Sequence, residues 1–432
     1  MTPFAARRAR VAERLGKDGV LLVPSAPERV RSNDTHHRYR PSSDLFYLTG
    51  FREPGALLVL RPGSATPFTL FVRPSDPERE TWDGPRAGVE GAREEVGADA
   101  AHPIAELASR LPDLLDAAAE IHAPIARDPA FEAELARALE YLRASHRRGK
   151  YAPERISDAT TLLAELRILK DADELATLRR AVALTDEAHR AAMRAASPGV
   201  WEYELEALVD YTFRKGGGTG AGYGTIVATG AHATTLHWVE NDGRLQDGEL
   251  CLLDAGAEVD FYTADVTRTF PVGGRFSAPA RRLYDAVLAV QERAVAMVRP
   301  GVTLEEIHEA TVAGLVDAAL RLDLCKGDAA AIIKDESYKR VYPHRTSHWL
   351  GLDVHDVGWY HRRGEARRLE PGMVITVEPG LYVRADDAEA PAELRGMGVR
   401  IEDDVLVTAT GHEVLTAAIP KHADAIEATA GR

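Results

Sequence analysis

The stretch LLDAGAEVDFYTADVTRTFPV (252–272) extends two β-branched, apolar runs, ELCLLDAG and YTADVTRTF, joined through residues 258–262. Such runs favour burial and read as paired strands. Asp254 and Asp265 lie inside them, eleven residues apart. Residues on the two strands of a hairpin can face each other within reach of one ion. A buried carboxylate without a partner is costly, so several in one core call for a cation.

Three more acceptors follow: His348 in HRTSHWLGLDVHD, Glu378 in ITVEPGLYV and Glu402 in GVRIEDDVLVT. Each has a plain alternative when taken singly. Asp254 precedes Ala-Gly and suits a turn. Asp265 can pair with Arg268, Glu378 can close a strand before Pro379, and Glu402 can pair with Arg400. A lone histidine is more often a satisfied core residue than a ligand. Here His344, His348 and His355 fall within twelve residues, beside Asp353 and Asp356. The set is neither H-E-x-x-H nor a Cys/His zinc pattern. Jointly, four carboxylates balance two divalent cations, and one imidazole helps complete the shell. Oxygen-rich ligation favours Mn²⁺, with Co²⁺, Fe²⁺ and Zn²⁺ as alternatives. Two such ions roughly 3.5–4 Å apart share a hydroxide and polarise a carbonyl, so a hydrolase is expected.

Outward from this core, the chain of 432 residues exceeds one ordinary core and suggests two domains. Residues 1–155 mix the strand-like runs GVLLVP, DLFYLTGF, GALLVLRPG and PFTLFVRP with helical stretches at 104–118 and 129–145. They form an expected α/β domain, and the basic, turn-rich HRRGKYAPER (146–155) leads out of it. Residues 156–432 group strands and helices in blocks, which predicts an α+β domain with a largely antiparallel sheet. Thr303 and Glu306 stand at capping-box spacing before a helix. At the N-terminus, MTPFAARRARVAERL reads as an amphipathic helix opened by Thr2 and Pro3 rather than a transit peptide.

The net charge of −14 opposes a nucleic-acid-binding surface. No apolar run approaches ~18 residues, so no membrane span is expected. Cys251 and Cys325 are the two cysteines and make no disulfide framework, which points to a reducing, cytoplasmic compartment.

Together TTLHWVEN (234–241), LLDAGAEVDFYTADVTRTFPV, SHWLGLDVHDVG (347–358), LEPGMVITVEPGLYV (369–383) and RGMGVRIEDDVLVT (395–408) resemble the metal-dependent aminopeptidase P and prolidase family. RSNDTHHRYRPSSDLFYLTGF (31–51) extends the resemblance into the first domain. The resemblance implies a pita-bread catalytic domain preceded by a creatinase-like α/β domain, in a homodimer or homotetramer. It implies that Asp254 chelates one metal, Asp265 and Glu402 bridge, and His348 and Glu378 bind the second. His237, His344, His355 and Arg400 fall on positions lining the substrate site, with His237, His355 and Glu378 in catalytic roles. Asp34 matches an acidic position near the substrate amine. The implied substrate is a peptide with an N-terminal Xaa-Pro. Arg345 is a departure, because Gly is common after the matching histidine. Prolidase, which cleaves Xaa-Pro dipeptides, shares all five ligands, and SHWLGLDVHDVG favours aminopeptidase P. Methionine aminopeptidase leaves the first domain unexplained, creatinase needs no metal, and a non-catalytic binding module on this fold is expected to lose ligands.

Overall fold

The computed structural model describes residues 2–430, which divide into one compact unit ending at Arg167 and another beginning at Ile168. The first unit runs twelve residues past the boundary expected at 155/156. The reason is that Arg155–Asp158 joins its sheet as an edge strand, parallel to Glu120–Ala123. The helix Ala159–Arg167 is then tied back, with the Arg167 guanidinium 2.7 Å from the Asp44 carboxylate and the Tyr47 hydroxyl donating to the Leu166 carbonyl.

In this unit six strands lie in the order Ala100–Pro103, Phe68–Val72, Leu57–Leu60, Gly19–Pro24, Glu120–Ala123, Arg155–Asp158. Gly19–Pro24 is central, antiparallel to one neighbour and parallel to the other. Its Val20, Leu21, Leu22 and Val23 are all buried, which explains why it reads as an unbroken apolar run. Val20 and Leu22 pack with Leu111, Leu115, Phe131, Leu135 and Leu142 of two covering helices. The first helix, Pro3–Leu15, is capped as the sequence predicts: the Thr2 hydroxyl accepts from the Ala5 N–H.

The second unit repeats one plan twice: two long helices, then antiparallel strands. Helices Ala172–Ala195 and Glu202–Lys215 precede strands Ile226–Thr229, Leu250–Asp254 and Thr267–Pro271. Helices Ala278–Met297 and Leu304–Arg321 precede Val374–Val377, Asp403–Val407 and His412–Val414. The predicted capping box is present, with Thr303 and Glu306 exchanging side-chain-to-backbone bonds. A large apolar core runs from Met193, Leu205 and Phe213 through Phe270 and Leu283 to Leu381 and Val399.

The two strands that carry the opening motif pair as expected, with Asp254 opposite Thr267. Between them lies a smaller hairpin, Ala257–Val259 with Tyr262–Thr263, turned by Asp260 and Phe261 at φ 47° and 66°. Both central residues are left-handed, as a type I′ turn requires. Gly256 makes the crossing at its base possible, because a Cβ there would stand 1.7 Å from the Ala264 carbonyl oxygen.

Candidate metal centre

The acidic groups stand at strand ends. Asp254 ends Leu250–Asp254, and Asp265 lies just ahead of Thr267–Pro271. Glu378 follows Val374–Val377, and Glu402 lies between Met397–Arg400 and Asp403–Val407. His348 comes from an irregular segment pinned to a strand: Thr376 N–H donates to the His348 carbonyl, and the Thr376 hydroxyl accepts from His348 N–H at 3.1 Å. The structure therefore brings these five residues, 148 positions apart at their extremes, around one cavity of about 930 Å³. His237, His344, His355 and Arg400 line the same cavity. Asp34 is not among its lining residues; it is exposed at the tip of the hairpin Val30–Ser32/Thr35–His36 in the first unit.

His348 Nδ1 lies 3.0 Å from the Trp349 carbonyl, so Nδ1 carries the proton. Nε2 faces the acids, 3.3 Å from Asp265 and 3.5 Å from Glu378. That is the tautomer and orientation a metal-binding imidazole needs. Single ligand atoms of Asp265, His348 and Glu402 lie within 4.8 Å of one another. Asp254 is held from both sides, by the Tyr223 hydroxyl at 2.7 Å and the Arg400 guanidinium at 2.6 Å. Arg400 also donates to Thr267 Oγ1 and to the Tyr382 hydroxyl, and Thr267 in turn donates to Glu402 at 2.8 Å. Tyr382 is 2.8 Å from His344 Nε2, and His344 Nδ1 is 3.7 Å from Glu378. His355 meets His348 edge to face, with ring centroids 4.5 Å apart.

Burial pushes the Glu402 carboxyl well up, and the neighbouring Asp265 and Glu378 add to it. Burial also raises Asp265, helped by Asp254 and opposed by the His348 hydrogen bond. Glu378 is raised to about 7, chiefly by burial. Burial would lower His348, but the hydrogen bond it donates to Asp265 and the charge of Glu378 lift it to about 9. Asp254 alone goes down, because Arg400 and Tyr223 outweigh its burial. His344 is lowered to about 3 by burial and then by Arg400, so it is a neutral ring at pH 7.

Burial is the first cause for Asp265, Glu378 and Glu402, and one electrostatic cause adds to it there and lifts His348. The cluster holds more negative charge than Arg400 offsets, so protons are drawn in where positive charge is missing. Clustered carboxylate oxygens with one imidazole nitrogen also make a donor set for hard divalent cations. The residues fit such ions.

The structure closes three of the singular alternatives, though Glu378 does close a strand before Pro379. Arg268 does not pair with Asp265; it is fully buried on Asp403 at 2.7 Å. Arg400 pairs with Asp254 and not with Glu402. Asp254 forms no turn but ends a paired strand. Arg345 does reach the cavity wall, but its guanidinium is bridged to Glu305 on the facing helix. Sequence reasoning missed Tyr223, Thr267, Thr376 and Tyr382, the hydroxyls that orient the charged groups. No spacing marks them. Their only signal is a polar residue inside an apolar run, as in TRTF and MVITV.

Residues 176–409 match the model of metallopeptidase family M24, and residues 4–122 match the aminopeptidase P N-terminal domain. The chain belongs to metallopeptidase family M24. Among M24 relatives, the Xaa-Pro aminopeptidase of Escherichia coli is 40% identical, over 98% of this chain and 96% of that protein. Human Xaa-Pro aminopeptidase 3 is 36% identical, over 95% of this chain and 81% of that protein. The structure of Pseudomonas aeruginosa aminopeptidase PepP superimposes with a TM-score of 0.97 at 43% identity, covering 99% of this chain and 97% of that one. Zn-substituted E. coli aminopeptidase P in complex with product gives 0.96 at 39%, covering 99% and 98%. The fold is thus the expected α+β pita-bread M24 domain preceded by a creatinase-like α/β domain.

Proposed function

We propose that this chain is a Xaa-Pro aminopeptidase that releases the first residue of peptides with proline in second position. The observation that carries the reading is the buried, under-compensated carboxylate cluster opening into a histidine-lined cavity. Relatives named Xaa-Pro aminopeptidase, matched over nearly the whole chain, support it.

In this reading Asp254, Asp265, His348, Glu378 and Glu402 hold two divalent cations, Mn²⁺ by preference. Bound cations supply Lewis acidity and a water of lowered pKa. Glu378 would take the proton of the attacking water and pass it to the proline nitrogen. That nitrogen has no N–H in the peptide and must be protonated to leave. His355 donates to the oxyanion as it develops. His237 and His344 frame the proline ring and the backbone after it. His344 stays neutral, so it bonds substrate without adding charge. Arg400 keeps Asp254 in place through its guanidinium. Asp34 contacts the substrate amine of a neighbouring subunit in a homodimer or homotetramer, and the location is cytoplasmic. Among the described residues no helix is long and apolar enough to cross a membrane.

The test is cleavage of a tripeptide Xaa-Pro-Yaa against a dipeptide Xaa-Pro, with Mn²⁺ added to metal-free protein. Tripeptide cleavage is expected. Hydrolysis of the dipeptide alone would make the chain a prolidase and overturn the reading.

A further inference from the structure

We propose that Glu202 is a positioning residue that fixes the segment carrying His237 against the substrate cavity, an inference that rests on the peptidase reading above. Glu202 begins the helix Glu202–Lys215, where an acid ordinarily faces solvent and the helix dipole. This one is fully buried instead. Its Oε1 accepts from Thr229 N–H and the Thr229 hydroxyl, both at 2.7 Å, and from His232 Nδ1 at 3.0 Å. Its Oε2 accepts from the Trp238 indole at 2.9 Å and Gly243 N–H at 2.8 Å.

All five donors belong to residues 229–243. Leu236, His237 and Val239 of that same segment line the cavity. Apart from Thr229, which ends the paired strand Ile226–Thr229, and the short 3₁₀ turn Gly230–Thr234, the segment has no regular structure to hold it. Its partners must come from side chains. Glu202 supplies most of them, and Asn241 supplies others by accepting from Val227 N–H and donating to the Thr225 carbonyl, both at 2.9 Å. Gly243 is required for the approach, because a Cβ there would lie 2.7 Å from Glu202 Oε1. Trp238, next to His237, is held twice: by its indole bond and by stacking on His232, with centroids 3.9 Å apart.

Glu202, His232 and Asp242 lie close enough to suggest an ion site. Both Glu202 oxygens are already occupied by N–H and O–H donors, so the cluster works as a brace. Burial would raise the Glu202 carboxyl, but bonds from Thr229, Trp238 and Gly243 outweigh it and keep the group ionised. A buried anion met by several oriented donors gives strong bonds. Removing it leaves those donors unpaired.

The test uses the full-length, Mn²⁺-loaded protein and the variants Glu202→Gln, Trp238→Phe, His237→Ala and Trp238→Phe/His237→Ala. Glu202→Gln is expected to lower kcat/KM on Xaa-Pro-Yaa by on the order of tenfold to a hundredfold, mainly through KM, as for a misplaced contact. Trp238→Phe removes one donor and is expected to cost about fivefold, the worth of one hydrogen bond. Both should speed amide hydrogen exchange within 229–243 and leave exchange in the remaining strands unchanged. Because the brace acts through His237, Trp238→Phe should cost nothing further once His237 is Ala. An undiminished fivefold loss in the double variant, or unchanged exchange at 229–243, overturns the proposal. Should Glu202→Gln fail to fold, Trp238→Phe and the double variant decide. A wild-type protein inactive on Xaa-Pro-Yaa would sink the peptidase reading instead, with the exchange measurement still judging the brace.

Discussion

Glu402 and Asp403 are neighbours in sequence, with 2% and 0% exposure, yet their surroundings are opposite in charge. Asp403 receives the Arg268 guanidinium at 2.7 Å, the Lys421 ammonium at 2.7 Å, the Gln291 amide at 2.8 Å and the Thr416 hydroxyl at 2.8 Å. Burial alone would raise its carboxyl, but Arg268 and Lys421 hold it well below the ordinary range. Glu402 lies just ahead of the strand that Asp403 opens; it lines the cavity with Asp254, Asp265 and Glu378, and is pushed up. One acid is neutralised by the protein itself, and the other has no such counter-charge, which suits it to a cation from outside. What separates this pair is whether the chain supplies the counter-charge.

The largest effect that can break this comparison is on turnover. Asp265→Ala should lower kcat by on the order of a thousandfold or more while the protein stays folded, because a cation ligand is lost. Near-normal turnover with Mn²⁺ present would refute the metal mechanism. Asp403→Asn should act on stability instead. It strands the fully buried Arg268 and the partly buried Lys421 and should cost about 3–5 kcal/mol in urea unfolding, with metal content retained in whatever protein folds. A pattern reversed between the two variants would dissolve the distinction.

A subtler test is the pH dependence of metal-induced stabilisation. In metal-free protein Glu378 is raised to about 7, above an unfolded value of about 4.3, so folding takes up a proton between them. Stability from that shift falls as pH rises through the window. His348, raised to about 9 from about 6.5, likewise contributes stability below about 6.5 that is lost as pH climbs to 9. Bound cations replace those protons, so the gain in Tm on adding Mn²⁺ should grow from pH 5 to pH 8. His189 and His308, both lowered to about 4 mainly by burial, destabilise the fold as pH drops from about 6.5. They do so with or without metal and cancel in the difference. A gain in Tm that is flat or shrinks with pH would contradict the charge account.

The smallest effect expected is at Arg345. Its pair with Glu305 is largely exposed, and Arg345→Gly should change stability by only about 0.2–1 kcal/mol in thermal unfolding. Because Glu305 neutralises the guanidinium, KM for neutral tripeptides should shift by no more than about fivefold. A larger change would mean that the cation faces the substrate.

Much of this was legible in the sequence. The acids stood out because they interrupt runs such as LCLLD and MVITVE that otherwise demand burial, and a capping box placed the helix Leu304–Arg321, whereas DLFYLTGF, expected as a strand, forms the Ser42-capped helix Ser43–Thr49. The first compact unit ends at Arg167 and not at 155, since the turn-rich HRRGKYAPER leads straight into an edge strand, Arg155–Asp158, whose pairing depends on a strand more than thirty residues away. Counter-charges were also hidden. Nothing local assigns Arg268 to Asp403 and Arg400 to Asp254, because those partners lie 135 and 146 residues away and only the sheets bring them together.

The central claim is that the under-compensated cluster takes cations from solution, and its most direct measurement is Mn²⁺ binding by titration calorimetry to metal-free protein at pH 7.5. The account predicts two Mn²⁺ per chain, with protons released on binding and no binding at this site in Asp265→Ala. A chain that binds no Mn²⁺, or binds it equally well without Asp265, would contradict it.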